Sequence, residues 1–461
     1  MTQLLKIFAF CVLILCVSIT PLVHAAAYSA EDRPYSRISD DAALRRSLIE
    51  SYFTLPVSQL LKKQSARFTL DTGELVEVRI EKGVSDVLVV LARERQGLYP
   101  GWVQGSWILY RSLNDGSPKK IRIYLRSDPY VYVEFRPAGS NKSVFDVVAY
   151  SGYVVYSRPV PLAFQNLYSS STNQVLTALG NVFPKEYFDV DPRMYGDLRF
   201  FISRLKASVP ALSYADDGAL DEQGRPVYIA SLMNQKQPWG LNCSGFAKWV
   251  VDGLVRPMTG TSLPIEPLKT PIGNRGSSFT EPVESKLDPF FGLDWTRNLA
   301  LAVNRILRSP SYTSLDEIDI VDVPVSQLIV KRDNKSQIIS FPAYMKNAGF
   351  NIEGLPSIMY SLAVRYPSWF YLVSVNTDKA AVLRQYPTNA PLPFSAGSGI
   401  RRHFHVAVLI PYFTEDGVFK VSVFESAAET SFDAFVRRYP GYQVHLVRIP
   451  FQGTFDPPAV N

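Results

Sequence analysis

Sulfur and imidazole are scarce in this sequence: three cysteines and four histidines serve 461 residues. That scarcity leaves few candidates for thiol or imidazole chemistry. No triplet or heptad period runs through the chain, which rules out collagen-like and coiled-coil architectures. Long blocks of one charge are missing as well. The 48 Lys+Arg against 42 Asp+Glu leave a net +6, scattered in short pairs such as Lys62-Lys63, Lys119-Lys120 and Arg401-Arg402. Nucleic-acid binders concentrate such an excess in a stripe, so no nucleic-acid partner is expected. A glycine-rich phosphate loop is also lacking. What remains is ordinary globular material, 47% apolar and 20% charged, long enough for two or three domains of about 100–200 residues each.

Residues 1–25 read as a signal peptide. Lys6 supplies the positive start, residues 7–19 an apolar run, Pro21 a break, and Val23-His24-Ala25 the small residues of a cleavage site. The run is 13 residues long, short of the roughly 20 that a spanning helix needs. The mature protein is therefore expected to be periplasmic or secreted, with no integral membrane segment after cleavage. Removal of the signal takes Cys11, Cys16 and His24 with it, leaving Cys243, His403, His405 and His445. A lone exported cysteine builds no internal disulfide.

Hydrophobic periodicity divides the rest. Residues 26–65 contain a helical segment, capped at Ser39-Asp40, with Leu44, Leu48, Ile49, Tyr52 and Phe53 at helical spacing. Over 66–160 the period becomes two: Val76, Val78 and Ile80 alternate with Glu77 and Arg79, and Ile121, Ile123 and Leu125 with Arg122 and Tyr124. Six to eight short strands there predict a small all-β sandwich or barrel, with Trp102, Trp107 and Tyr110 as core residues rather than a glycan platform. Residues 161–461 are mixed. Helical stretches fall near 173–183, 192–207, 295–307 and 355–366, strands near 370–375, 403–410, 419–424 and 443–449, and residues 255–400 read as a large insertion.

One constellation carries chemistry. Cys243 stands where a loop turns into a helix whose apolar stripe is Phe246, Val250, Val251 and Leu254, with Lys248 and Asp252 turned away. A thiol at a helix N-terminus feels the helix dipole and unpaired N–H groups, both of which favour thiolate. Small Ser244 and Gly245 leave room for close approach of a strand or substrate. A base is needed, and His405 opens the apolar run of residues 406–410. His403, two residues earlier on an alternating strand, is expected on the same face, so either histidine can serve as base while the other lines the cleft. Glu425 ends the next strand, where a carboxylate can orient the base.

Asn242-Cys243-Ser244-Gly245-Phe246 resembles the Asp-Cys-Ser-Gly-aromatic signature of the NlpC-like cell-wall cysteine peptidases, and residues 405–410 resemble their His-Val-Gly-Ile-Tyr strand. The resemblance implies a papain-like α+β domain, with a large insertion, following the β-rich one. It implies hydrolysis of amide bonds in peptidoglycan stem peptides or related acyl linkages, without a cofactor or metal. By it Cys243 is the nucleophile, His405 the base and Glu425 the third polar residue. Trp239, in Pro238-Trp239-Gly240, echoes the family's upstream Tyr-x-Trp-Gly-Gly stretch, and Tyr228 stands in for its tyrosine, which adds both to Ser244 and His403 as substrate-binding candidates. The chain departs from the pattern in Asn242, in a glutamate as third residue, and in the 162 residues separating Cys243 from His405.

Three other readings compete. A catalytically inactive envelope-binding or scaffold protein would keep the same residues without turnover. His403 and His405 with Glu425 would make a metal site, which leaves the setting of Cys243 unexplained. Glu425 and Glu429 would make a carboxylate pair for glycoside hydrolysis. His445, in an apolar strand, reads as a core histidine.

Overall fold

Alternation decides the first sheet. In β2 (Leu75–Lys82) Val76 and Val78 point into the core, while Glu77 and Arg79 pair on the other face at 3.2 Å. The same logic runs through β1 (Ala66–Thr69), β3 (Asp86–Arg93), β4 (Trp107–Ser112), β5 (Pro118–Ile123), β6 (Val131–Pro137), β7 (Ser143–Ala149) and β8 (Gly152–Val160), each antiparallel to the last. The computed structural model describes residues 32–272, 288–312, 314–332, 335–341, 344–377 and 401–459. The signal-like segment 1–25 and part of the 255–400 region lie outside the described residues.

The architecture departs from the expected fold class. The meander neither closes into a small barrel nor folds into a sandwich. β8 pairs onward with β11 (Gln327–Arg332), through Gly152 and Tyr153, and β11 with β12 (Lys335–Ser340), giving one ten-stranded antiparallel sheet. A second antiparallel sheet has six strands in the order β13 (Phe350–Asn351), β18 (Gln443–Pro450), β14 (Trp369–Thr377), β15 (Arg402–Phe413), β16 (Phe419–Glu425), β17 (Ala428–Ser431). Two large antiparallel sheets replace the expected small β-domain followed by a papain-like α+β domain with a large insertion. Local period-two patterning identifies strands but not their distant partners, and β11 lies more than 160 residues beyond β8.

What looked like an insertion is structural. Helix α5 (Phe291–Leu307) packs on β14, β15 and β18, and β14 is a central strand of the second sheet. Helix α6 (Leu355–Arg365) joins the two sheets: Tyr360 stacks on Tyr150 at 5.2 Å and donates its hydroxyl to Tyr187 O at 2.7 Å. Tyr150 and Ser151 turn the β7–β8 hairpin with φ of 49° and 68°, the left-handed pair that a two-residue hairpin demands. Among the described residues the other α-helices of seven residues or more are α1 (Ala42–Leu48), α2 (Thr172–Leu179), α3 (Gly196–Ser208), α4 (Cys243–Thr259) and α7 (Phe432–Arg438). One continuous apolar core runs beneath both sheets.

Helix α4 is buried on every side from Ser244 to Val255. Lys248 and Asp252 therefore do not face solvent as expected. They form a fully enclosed pair at 2.6 Å, with Asp252 also accepting Leu263 N–H at 2.8 Å. A charge can be buried only with such partners. Trp107 is core, at 2% exposure, and Tyr110 lies under Lys120 and Arg122, whereas Trp102 stands at the surface.

Candidate active site

Asn242 caps α4: its side chain accepts the Gly245 N–H at 2.8 Å and makes Cys243 the first helical residue. The start of the helix is pressed against β9 (Gly218–Leu220), which pairs with β10 (Pro226–Tyr228). A Cβ on Gly245 would lie 2.0 Å from Gly218 O, and one on Gly218 would lie 2.1 Å from Gly240 O. These glycines let three backbone segments meet where the thiol emerges. Trp295 of α5 adds a tether, donating Nε1–H to Ser244 O at 2.9 Å.

Cys243 is half-buried, and its sulfur and the His405 ring lie near enough for each to shift the other's ionisation. His405 Nε2 lies 2.6 Å from Glu425 Oε2, which leaves Nδ1 to face the thiol. The geometry thus brings Cys243, His405 and Glu425 into one chain of contacts. Two of its members descend from neighbouring strands, since β15 and β16 are paired from Val408 with Phe424 onward.

The electrostatics follow from those contacts. Burial pushes the Cys243 thiol up, but the hydrogen bond and charge of His405, the Val406 N–H and the Ser244 hydroxyl outweigh it, holding the thiol below its ordinary value. For His405, burial opposes the positive charge, yet Cys243 and Glu425 raise it to about 9. Burial alone would raise Glu425, but His405, Thr430 and Arg438 bring it down to about 2. Imidazolium and carboxylate are therefore the forms of His405 and Glu425 at neutral pH, and the imidazolium favours ionisation of the Cys243 thiol.

His403 goes elsewhere. The β14–β15 register slips between Val375 and Asn376, so that Val375 faces His405, Asn376 faces His403, and Phe404 has no partner. This bulge sets His403 on the opposite face from His405. Phe404 and His405 both approach Tyr439, at 5.9 and 6.0 Å, whereas His403 is buried against Ser374 Oγ at 2.8 Å and near the ring of Phe290. Burial keeps His403 neutral, well below the usual imidazole value. The two imidazoles do not converge on one ion, which removes the geometry the metal reading needs. His445 is also enclosed, 3.3 Å from Asp319, which is in turn held by Arg297 at 2.6 Å. Glu429 pairs with Lys206 at 2.8 Å on the surface.

Of the other candidates, Ser244 touches the sulfur from 4.0 Å. Trp239 and Tyr228 are half-buried on the segments beside the helix start, and among the described residues no hydrogen bond ties either to the Cys243–His405–Glu425 chain. Sequence reasoning missed Tyr214, Tyr439 and the Val406 N–H. Tyr214 donates to Asp216 at 2.7 Å and is pushed up to about 12 by that bond, by burial, and by the charges of Asp216 and Cys243. Nothing local in the sequence marks it, because it is brought in by the loop before β9.

Residues 34–187 match a family described as a domain of unknown function, DUF8515. That stretch covers α1, the first eight strands and α2, and ends before Cys243. No curated protein and no solved structure matches the chain. Among the described residues, no helix is long and apolar enough to cross a membrane.

Glu425→Gln has a pH signature. Glu425 is lower in the folded protein than its ordinary 4.5, so its ionisation stabilises the fold above that value and the contribution is lost as pH falls toward about 2. Denaturant midpoints of wild type and Glu425→Gln should differ at pH 6 and draw together at pH 3. A gap equal at both would contradict the ionised network.

Proposed function

We propose that this chain is an exported cysteine hydrolase of acyl linkages, with amide bonds of cell-envelope peptides, such as peptidoglycan stem peptides, as its substrate class. The observation that carries this reading is the placement of Cys243 at the start of α4, which packs on the strand of His405, whose Nε2 lies 2.6 Å from the buried Glu425. The local resemblance around Cys243 and His405 supports the substrate class, and the signal-like residues 1–25 support export.

The mechanism follows from the groups present. The thiol proton rests on His405 Nδ1, and the Cys243 thiolate attacks the carbonyl carbon. The N–H groups of Cys243 and Ser244, first and second in α4, have no intrahelical acceptor and can hold the developing oxyanion. His405 passes its proton to the leaving amine, which departs and leaves a thioester on Cys243. Water, deprotonated by His405, then attacks the thioester, releases the acid and restores the thiol. Glu425 keeps the imidazole in one tautomer throughout.

Purified mature protein incubated with muropeptides should release new amino and carboxyl termini, detected by mass spectrometry. Cys243→Ala should abolish release while its thermal melt stays near that of wild type. Activity in Cys243→Ala above trace level would overturn the assignment of the nucleophile. A wild-type chain that binds the fragments but cleaves none would make it an envelope-binding protein instead.

A further inference from the structure

Glu425 is held more firmly than orienting a histidine requires. Only Oε2 faces His405. Oε1 accepts two further hydrogen bonds, from Thr430 Oγ1 at 2.7 Å and from Arg438 Nη1 at 2.6 Å. These donors come from successive elements. Thr430 lies on β17, which returns from β16 through Ser426 and Ala427 with φ of 49° and 62°. Arg438 ends α7, which begins as β17 stops. A left-handed two-residue turn built without glycine is strained, and here it brings Thr430 back onto the carboxylate. Arg438 reaches from the opposite end of the same hairpin-and-helix unit, and its guanidinium also meets Tyr439, the ring beside His405.

We propose that Thr430 and Arg438 are positioning residues for the Cys243–His405 pair: by occupying Oε1 they fix the carboxylate plane so that Oε2 alone meets the imidazole and aims it at the thiol. The inference rests on the reading of Cys243 as nucleophile. It differs in sign from a purely electrostatic role for Arg438. A nearby cation disfavours imidazolium, so its removal would by charge alone strengthen His405 as a proton holder and make the thiol more reactive. Loss of a clamp frees the carboxylate to turn and makes the thiol less reactive. Arg438 is 45% exposed, so truncating it opens no cavity, and Thr430→Val keeps shape and charge while removing the donor.

The test is the rate of iodoacetamide alkylation of Cys243 across pH in the mature chain, for wild type, Arg438→Ala, Arg438→Lys and Thr430→Val. Arg438→Ala and Thr430→Val should each move the inflection up by about half a pH unit, which is about threefold less thiolate below it. Arg438→Lys should recover part of the loss, because an ammonium reaches Oε1 as a point donor without the planar fork. A depressed inflection in wild type that Arg438→Ala and Thr430→Val retain, or that Arg438→Ala lowers further, overturns the clamp alone. A wild-type thiol without a depressed inflection overturns both the clamp and the hydrolase reading.

Discussion

Gly245→Ala should cost this protein about 3 kcal/mol or more of stability, the upper end of what overpacking does. Gly245 is the third residue of α4, and a Cβ there would lie 2.0 Å from Gly218 O and 2.9 Å from Ala219 Cα. Both obstacles are backbone, so no rotamer change relieves them. Either β9 withdraws or the helix start shifts, and a shift carries Cys243 away from His405. The denaturant midpoint should therefore fall and the thiol should lose reactivity together. Gly196→Ala is the control: Gly196 is helical at φ −54° with open space around it, and alanine there should be neutral or stabilising by about 0.5–1 kcal/mol. A Gly245→Ala protein that unfolds with the wild type would contradict the packing of β9 on α4.

His405→Ala should reduce the alkylation rate of Cys243 at pH 6 by about tenfold or more. In wild type the interaction and charge of His405 outweigh burial, so the thiol ionises below its ordinary value. Without the imidazole, burial is left opposing ionisation, with only the Val406 N–H and Ser244 to favour it. The higher intrinsic nucleophilicity of a more basic thiolate recovers part of the loss but not all of it. Because His405 is raised to about 9, its charge is present across neutrality and is lost only above that pH. The wild-type and His405→Ala rates should then converge at alkaline pH. Equal rates at pH 6 would show that the imidazole does not act on the thiol.

The parts of this molecule that were legible in its sequence are those decided by near neighbours. Alternation at Val76, Val78 and Ile80 marks a strand whatever it pairs with, and the loop up to Cys243 followed by Phe246, Val250 and Leu254 at helical spacing marks the helix that carries the thiol. The convergence of Cys243, His405 and Glu425 was anticipated because a helix N-terminus and a strand mouth are recognisable locally. What stayed hidden depends on distant or irregular geometry. Strands β11 and β12 join the first sheet through pairing that no periodicity encodes. The bulge at Phe404 changes the face of His403, and strict period two cannot register one extra residue. Lys248 and Asp252 look solvent-facing on a helical wheel, because a wheel shows polarity and not whether another layer covers it. Thr430 and Arg438 matter through where a strained turn and a short helix bring them.

The central claim is that Cys243 is an activated nucleophile paired with His405, and the most direct measurement is the pH dependence of its alkylation in folded protein made without residues 1–25. Once residues 1–25 are removed it is the only cysteine left in the sequence, so the signal comes from one site and needs no substrate. The account predicts an inflection clearly below the roughly 8.5 of a free thiol, with reactivity maintained down to mildly acidic pH. A thiol that titrates at or above the free value, or that reacts only after unfolding, would contradict it.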